Sequence, residues 1–320
     1  MNKELIIFEY FTSQEKLNIK SKKIFSEAIN LVDSIAISFC KNTNIKKIHI
    51  IRNNKLKKLV NKKILFYSSP KKNMAFNSLI NCKNQNKMIL VAPEENKHFI
   101  NLAERFRKKI SLLNSDNETI KIVSSKIKTY GFLKKNRIPC IPIEETNNLG
   151  ASKLLSKPEY GCGSNGIKFV NEIKKNSGVF FQKFYPDEKG SFTMLCKNGE
   201  CVVLSCNKQI VKENMKSIRQ VGLILGGLEK HRKEIKVLAN LISKKLPGLF
   251  GFIGVDIIRH QKSWRVLEIN PRFTSAYVGM EMAYGNDIKK ITTNFYIKED
   301  LIKKTPNLLK EKIIYFDQKF

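Results

Sequence analysis

Four short apolar runs in the first third of the chain, Leu5–Phe8, Lys47–Ile51, Lys63–Tyr67 and Met88–Val91, are bounded by polar residues and read as β-strands. Between and after them, residues 26–38 and 98–113 carry apolar positions at helical spacing, and Ser26 suits a helix entry. Strand and helix patterns in alternation predict a parallel open sheet up to about Lys121. The polar cluster Asn114–Asn117 then marks a boundary, and residues 125–136 read as a helix closed by Ile138-Pro139. Beyond it, residues 153–182 predict two strands around a glycine-rich loop, and residues 191–209 a hairpin turning at Asn198-Gly199. A helix is expected over 229–245, followed by strands over 250–259 and 264–269. The expected fold class is thus α/β and α+β, in three parts: 1–120, 121–184 and 185–320. No internal repeat is visible.

Composition removes several classes. With 42% hydrophobic residues spread over 320 positions, and only 9 Pro and 16 Gly, the chain is neither disordered nor collagenous. Lys and Arg number 59 against 28 Asp and Glu, a formal charge of +31. Such an excess can mark a binder of phosphate backbones, but here the lysines are scattered among Ile and Asn instead of forming a stripe with aromatics. That pattern argues against nucleic acid as a partner and favours anionic small molecules. The seven cysteines, Cys40, Cys82, Cys140, Cys162, Cys196, Cys201 and Cys206, form no C-x-x-C pair, which points to a reducing compartment without structural zinc. The four apolar residues near the start lie between acids and are too few for a signal-peptide core, and no run approaches the ~20 apolar residues of a membrane span. A cytoplasmic protein without membrane contact is expected. Self-association into a homo-oligomer is left open.

Three groups of residues carry chemistry. The first is Lys157-Pro-Glu-Tyr-Gly161-Cys-Gly163-Ser164-Asn-Gly166, a strand end with a lysine and a flexible, amide-rich loop. A dinucleotide-binding turn would need a helix after the last glycine. Here Ile-Lys-Phe-Val170 follows with strand character, so the loop reads as a hairpin that closes over phosphates, with Lys157 as a point charge beside it. A plain solvent-exposed turn is the alternative. The second is Gln182-Lys183-Phe184-Tyr-Pro-Asp-Glu188. A strand stopping at a proline bend leaves backbone groups at Lys183 and Phe184 for an adenine edge, with Glu188 near ribose or phosphate. The third is Asp256 followed by Glu268-Ile-Asn270-Pro-Arg272. Residues two apart on a strand share a face, so Glu268 and Asn270 project together, and Asp256 on the preceding strand completes a hard-oxygen set suited to Mg²⁺ or Mn²⁺.

In this order these residues resemble the ATP-grasp superfamily of carboxylate–amine ligases, over roughly residues 125–286. The resemblance implies an ATP-grasp fold: an N-terminal Rossmann-like, pre-ATP-grasp domain over 1–120, a small lobe with the phosphate loop over 121–184, and a C-terminal lobe with the metal site over 185–320. It also implies ATP with Mg²⁺ or Mn²⁺ as cofactors. Lys126, or its neighbour Lys128, and Lys157 match the lysines that grip phosphates, with Gly161, Gly163, Ser164 and Gly166 as the loop. Gln182, Lys183 and Phe184 match the adenine hinge, where many members carry Glu in place of Gln182, and Glu188 matches the ribose acid. Asp256, Glu268 and Asn270 match the metal ligands; Arg272, with Lys157, matches the catalytic pair at the transferring phosphoryl group. Three strings, Ile7–Thr12, Leu204–Gln209 and Glu268–Gly279, are similar to the archaeal tyramine–L-glutamate ligase family of methanofuran biosynthesis. That similarity implies an amide bond made from the glutamate γ-carboxylate and tyramine through an acyl phosphate. A ligase for another amino acid or a peptide, or a non-catalytic ATP-binding module, is the competing reading.

Overall fold

A computed structural model describes residues 3–17, 22–68, 86–146, 153–174 and 177–316; Cys82 lies outside them. Five parallel strands, β1 (Lys3–Glu9), β2 (Ile45–Ile51), β3 (Ile64–Tyr67), β4 (Asn86–Val91) and β5 (Ser111–Leu112), form the first sheet in the order β3-β2-β1-β4-β5. Unbroken apolar runs suit strands covered on both faces. Leu5 and Ile7 pack toward helix α1 (Lys22–Cys40), whereas Ile6 and Phe8 pack toward α2 (His98–Arg107). The expected helix 98–113 is shorter than its apolar pattern. It ends at Arg107, and Ser111–Leu112 join the sheet, where the Leu113 N–H donates to the Met88 carbonyl at 2.8 Å.

The helix predicted over 125–136 forms, and a second short helix that was not predicted precedes it. Asp116 caps α3 (Asn117–Ser124) by accepting from the Thr119 N–H at 2.7 Å, and extended Ser125 caps α4 (Lys126–Lys135) through the Lys128 N–H. A small antiparallel sheet follows, with three strands where two were expected: β6 (Leu154–Pro158), β7 (Lys168–Val170) and β8 (Val179–Lys183), in the order β7-β6-β8.

The large antiparallel sheet runs β13-β12-β9-β10-β11-β14, built from β9 (Lys189–Lys197), β10 (Glu200–Glu213), β11 (Ile218–Leu225), β12 (Gly251–His260), β13 (Ser263–Asn270) and β14 (Lys312–Tyr315). As predicted, β9 and β10 turn at Asn198 and Gly199, both with positive φ. One face is covered by α5 (Arg232–Lys245), the other by α6 (Ala276–Tyr284) and α7 (Asn286–Lys298). The second core continues into the first lobe: Leu31, Ile35 and Phe39 of α1 belong to the same apolar cluster as Phe252, Tyr277 and Tyr296. At about 1.5–3 kcal/mol for each large apolar side chain buried, this shared core fixes the first lobe against the large sheet. The small sheet has its own minor cluster around Leu154 and Phe181.

Candidate active site

The strand register builds the floor of the site. Ser191, Asp256 and Glu268 lie abreast on β9, β12 and β13, and Thr193, Gly254 and Asn270 form the next row. The register shifts just after Asp256, a bulge that brings both Leu267 and Glu268 to the cavity wall. Gly254 has no room for a side chain, because the Thr274 methyl would stand 2.6 Å from a Cβ there.

Lys126, at the start of α4, donates to the Gly161 carbonyl at 2.6 Å and pairs with Glu268 at 3.1 Å, while Lys128 is exposed. Of the two candidate lysines, Lys126 is therefore the one at the site. Lys157 donates to Gln182 Oε1 at 2.8 Å, and Gln182 Nε2 donates to the Ile141 carbonyl at 3.0 Å. Asp256 accepts from Gln209 Nε2 at 2.9 Å, and Asn270 Nδ2 donates to Glu268 Oε1 at 3.3 Å. Arg272 meets Glu94, a residue of the first lobe, through two parallel hydrogen bonds.

These contacts set the electrostatics. Burial pushes the Asp256 carboxyl well up, and the charge of Glu268 beside it pushes further. Burial also opposes ionisation of Glu268, but Lys126 and hydrogen bonds from Asp256, Lys126 and Asn270 outweigh it and hold Glu268 at about 2. Burial lowers Lys157 to about 8, a shift only partly offset by the Glu268 charge. For Arg272, burial works against the charge and Glu94 overcomes it, keeping the guanidinium protonated. Cys162, which lines both chambers, is pushed up to about 12 by burial, so its thiol stays protonated near neutral pH.

The oxygen-rich pair of Asp256 and Glu268, with the Asn270 amide, fits a hard divalent cation, because two buried carboxyls that must share a proton are a place where a cation can take the proton's role. Among the described residues no three His, Cys, Asp or Glu side chains gather into a metal cage, so such an ion would draw further ligands from water and phosphate oxygens.

Above this floor lies a cavity of about 690 Å³, joined to a smaller chamber of about 120 Å³. Gly163, Ser164, Asp256 and Glu268 line both. Lys126, Lys157, Gly161 and Gln182 line the smaller chamber; Gly166, Asn270 and Arg272 line the larger. The loop turns through left-handed Gly163, Ser164 and Gly166, and its far side is latched to the β10–β11 hairpin: the Phe169 N–H donates to the Lys216 carbonyl at 3.0 Å and Gln220 N–H to Ser164 Oγ at 3.4 Å.

The hinge differs in part from the sequence expectation. The Phe184 N–H is not left over; it donates to the Lys153 carbonyl at 2.8 Å, because the ladder with β6 extends one pair past Leu154 and Lys183. By the alternation of antiparallel pairs, the Lys183 backbone groups point to the outer edge of β8. Gln182 spends its side chain on Lys157. Glu188 does not line either chamber: it pairs with Lys208 at 3.2 Å, and its carbonyl accepts from the Arg259 N–H. Sequence reasoning missed Glu94, and also buried Glu9, whose carboxylate lines the cavity while accepting from the N–H groups of Phe11 and Thr12. Glu9 is the last residue of β1 and Glu94 follows β4, so both lie at the carboxyl ends of strands in the first sheet, a position where parallel sheets place ligand groups.

Comparison with known proteins agrees with this geometry. Residues 123–276 match the ATP-grasp domain family, and the fold is that of an ATP-grasp superfamily protein. Among characterised sequences it is similar to the tyramine–L-glutamate ligase of Methanocaldococcus jannaschii, with 26% identity over 208 residues, 64% of this chain; the match spans 61% of that relative's length. Among solved structures, an ATP-grasp superfamily protein of Archaeoglobus fulgidus superposes with a TM-score of 0.77 at 20% identity, covering 98% of this chain and 92% of the other. The biotin carboxylase domain of Hydrogenobacter thermophilus 2-oxoglutarate carboxylase, solved as a dimer with MgADP, ADP and bicarbonate, gives 0.70 at 15% identity, covering 97% and 73%. The N5-carboxyaminoimidazole synthetase of Staphylococcus aureus, complexed with ADP, gives 0.69 at 14%, covering 97% and 81%. No described helix is long and apolar enough to cross a membrane.

Proposed function

We propose that the protein is an ATP-dependent ligase that joins a carboxylate to an amine, with the glutamate γ-carboxylate and tyramine as the pair. The observation that carries this reading is the opposition of charges across two adjoining chambers: Asp256 and Glu268 line both, with Lys126 and Lys157 in the smaller and Asn270 and Arg272 in the larger, under a glycine loop.

Lys126, Lys157 and the loop amides would hold the triphosphate, and the open Lys183 edge of β8 would meet the base. A divalent cation on Asp256, Glu268 and Asn270 would neutralise phosphate charge. The substrate carboxylate oxygen attacks the γ-phosphorus; the bond to the β,γ-bridging oxygen breaks and ADP departs, leaving an acyl phosphate. Lys157 and Arg272 offset the charge that gathers on the equatorial oxygens. The neutral amine then attacks the acyl carbon, phosphate leaves, and the amine proton passes to solvent. The latched loop keeps water from the acyl phosphate.

The test is ADP release across a matrix of amino acids and amines, glutamate plus tyramine included, with the amide identified by mass. Activity confined to another pair would overturn the substrate assignment and leave the ligase reading; ADP release with no pair at all would overturn both.

A further inference from the structure

Glu94 follows β4 and stands 178 residues from Arg272 in the chain, yet it is only 3% exposed and takes both ends of the arginine fork. Its carboxylate accepts from Arg272 Nε at 2.9 Å and Nη2 at 2.7 Å, while Nη1 donates to the Phe273 carbonyl at 3.3 Å. A two-point contact fixes the plane of a guanidinium as well as its position. Tight packing of two lobes does not require it, since an apolar pair of similar volume would hold them at least as well.

The segment carrying Glu94 takes an uncommon path. Asn96 and Lys97, neither of them glycine, are both left-handed, with φ of 51° and 59°. The turn is closed by the Lys97 N–H on the Glu94 carbonyl and by the Phe99 N–H on the Pro93 carbonyl, both at 3.0 Å. Backbone of this kind persists where the surroundings over-determine it, and it gathers at functional sites. Lys97 places its ammonium 5.0 Å from the centre of the Tyr160 ring, at the root of the glycine loop. One short turn of the first lobe thus touches both Arg272 and the base of the loop, and Ala92, Pro93 and Glu95 beside it line the cavity.

We propose that Glu94 is a positioning residue. It holds the Arg272 guanidinium in one plane at the cavity wall, so that the first lobe completes the reaction site without touching the phosphates. This rests on the ligase reading above. The tests are Glu94→Gln, which removes one acceptor oxygen and the charge, and Glu94→Asp, which keeps the charge and so the fold but shortens the reach.

In either variant of the full chain, kcat should fall about 100-fold, the scale of an ångström of misplacement. The KM for ATP should stay within about threefold, because Lys126, Lys157 and the loop are untouched. A second readout needs no turnover: the Arg272 Nε–H signal, assigned by its loss in Arg272→Lys, should exchange with solvent roughly tenfold faster in Glu94→Gln. Wild-type kcat in either variant, or unchanged exchange, would overturn the proposal. So would an unchanged kcat with a lower KM for the carboxylate, which would make Glu94 a competitor for the arginine. A wild-type chain inactive with every substrate pair would defeat the ligase reading instead, and the exchange measurement alone would then decide the role of Glu94.

Discussion

Asp256 and Glu268 are directly opposed on neighbouring strands, and their carboxyls share a hydrogen bond at the floor of the cavity. A divalent cation that replaces the shared proton should stabilise the fold by mass action. Millimolar Mg²⁺ should therefore raise the thermal midpoint of the wild-type protein and leave that of Glu268→Ala unchanged. The same variant, or chelation of the wild type by EDTA, should abolish ADP release with every substrate pair. Turnover of Glu268→Ala in saturating Mg²⁺ would remove the metal assignment.

Lys157 depends on Gln182, whose own amide is tied to the Ile141 carbonyl. A hydrogen bond to a charged group contributes roughly 1.5–3 kcal/mol, so Gln182→Leu should weaken ADP binding by about 10-fold or more. Lys157→Met should weaken it further. Calorimetric titration with ADP checks both, and equal affinity of Gln182→Leu and wild type would show that the lysine needs no such anchor.

Lys289 is a buried lysine away from the cavity, 2.7 Å from Ser34 Oγ and 4.2 Å from the centre of the Tyr277 ring, and burial lowers it to about 8. Since its unfolded value lies near 10.4, the unfolded chain binds more protons between those limits, and folding gains stability as pH rises through that window. The penalty is fully present below pH 8. Lys289→Met lacks it, so the stability of wild type relative to the variant should improve by on the order of 1–2 kcal/mol from pH 8 to 10. Taking the difference removes the buried thiols and phenols, which titrate in both proteins. Urea denaturation at several pH values would show this, and a flat difference would mean that Lys289 stays charged at little cost.

Gly163 has φ of +61°, whereas proline is held near −65°. Gly163→Pro should distort the loop over the cavity, so that the acyl phosphate meets water and less amide forms per ADP released. Quantifying both products gives the ratio. Full amide formation at the wild-type ratio would exclude a sealing role for the loop.

The floor of the site was readable because it is local in sequence: Glu268-x-Asn270 share a face by strand alternation, and a tight turn at Gln261-Lys262 brings Asp256 opposite. The parallel sheet was readable from Leu5–Phe8 and its counterparts for the same reason. Long-range pairing was not. Glu94 looks like an ordinary surface acid in Pro93-Glu-Glu-Asn96, and nothing near it in the chain announces Arg272. Phe184 was misassigned because a proline two residues on suggested that the ladder had already ended, whereas Lys153 continues it. The helix expected to reach Leu113 failed where Ile110, Leu112 and Leu113, apolar at helical spacing, found more burial against the sheet.

Strand β14 closes the large sheet by pairing with β11 from Gly222 to Leu225, and Ile314 would lie 2.5 Å from a Cβ on Gly222 through its carbonyl. Cutting the chain before Lys312 would strip that cover and leave a bare row of amides and carbonyls on a strand whose neighbours reach the cavity. Such an edge recruits other chains, so a shortened version is expected to lose solubility before it loses catalysis.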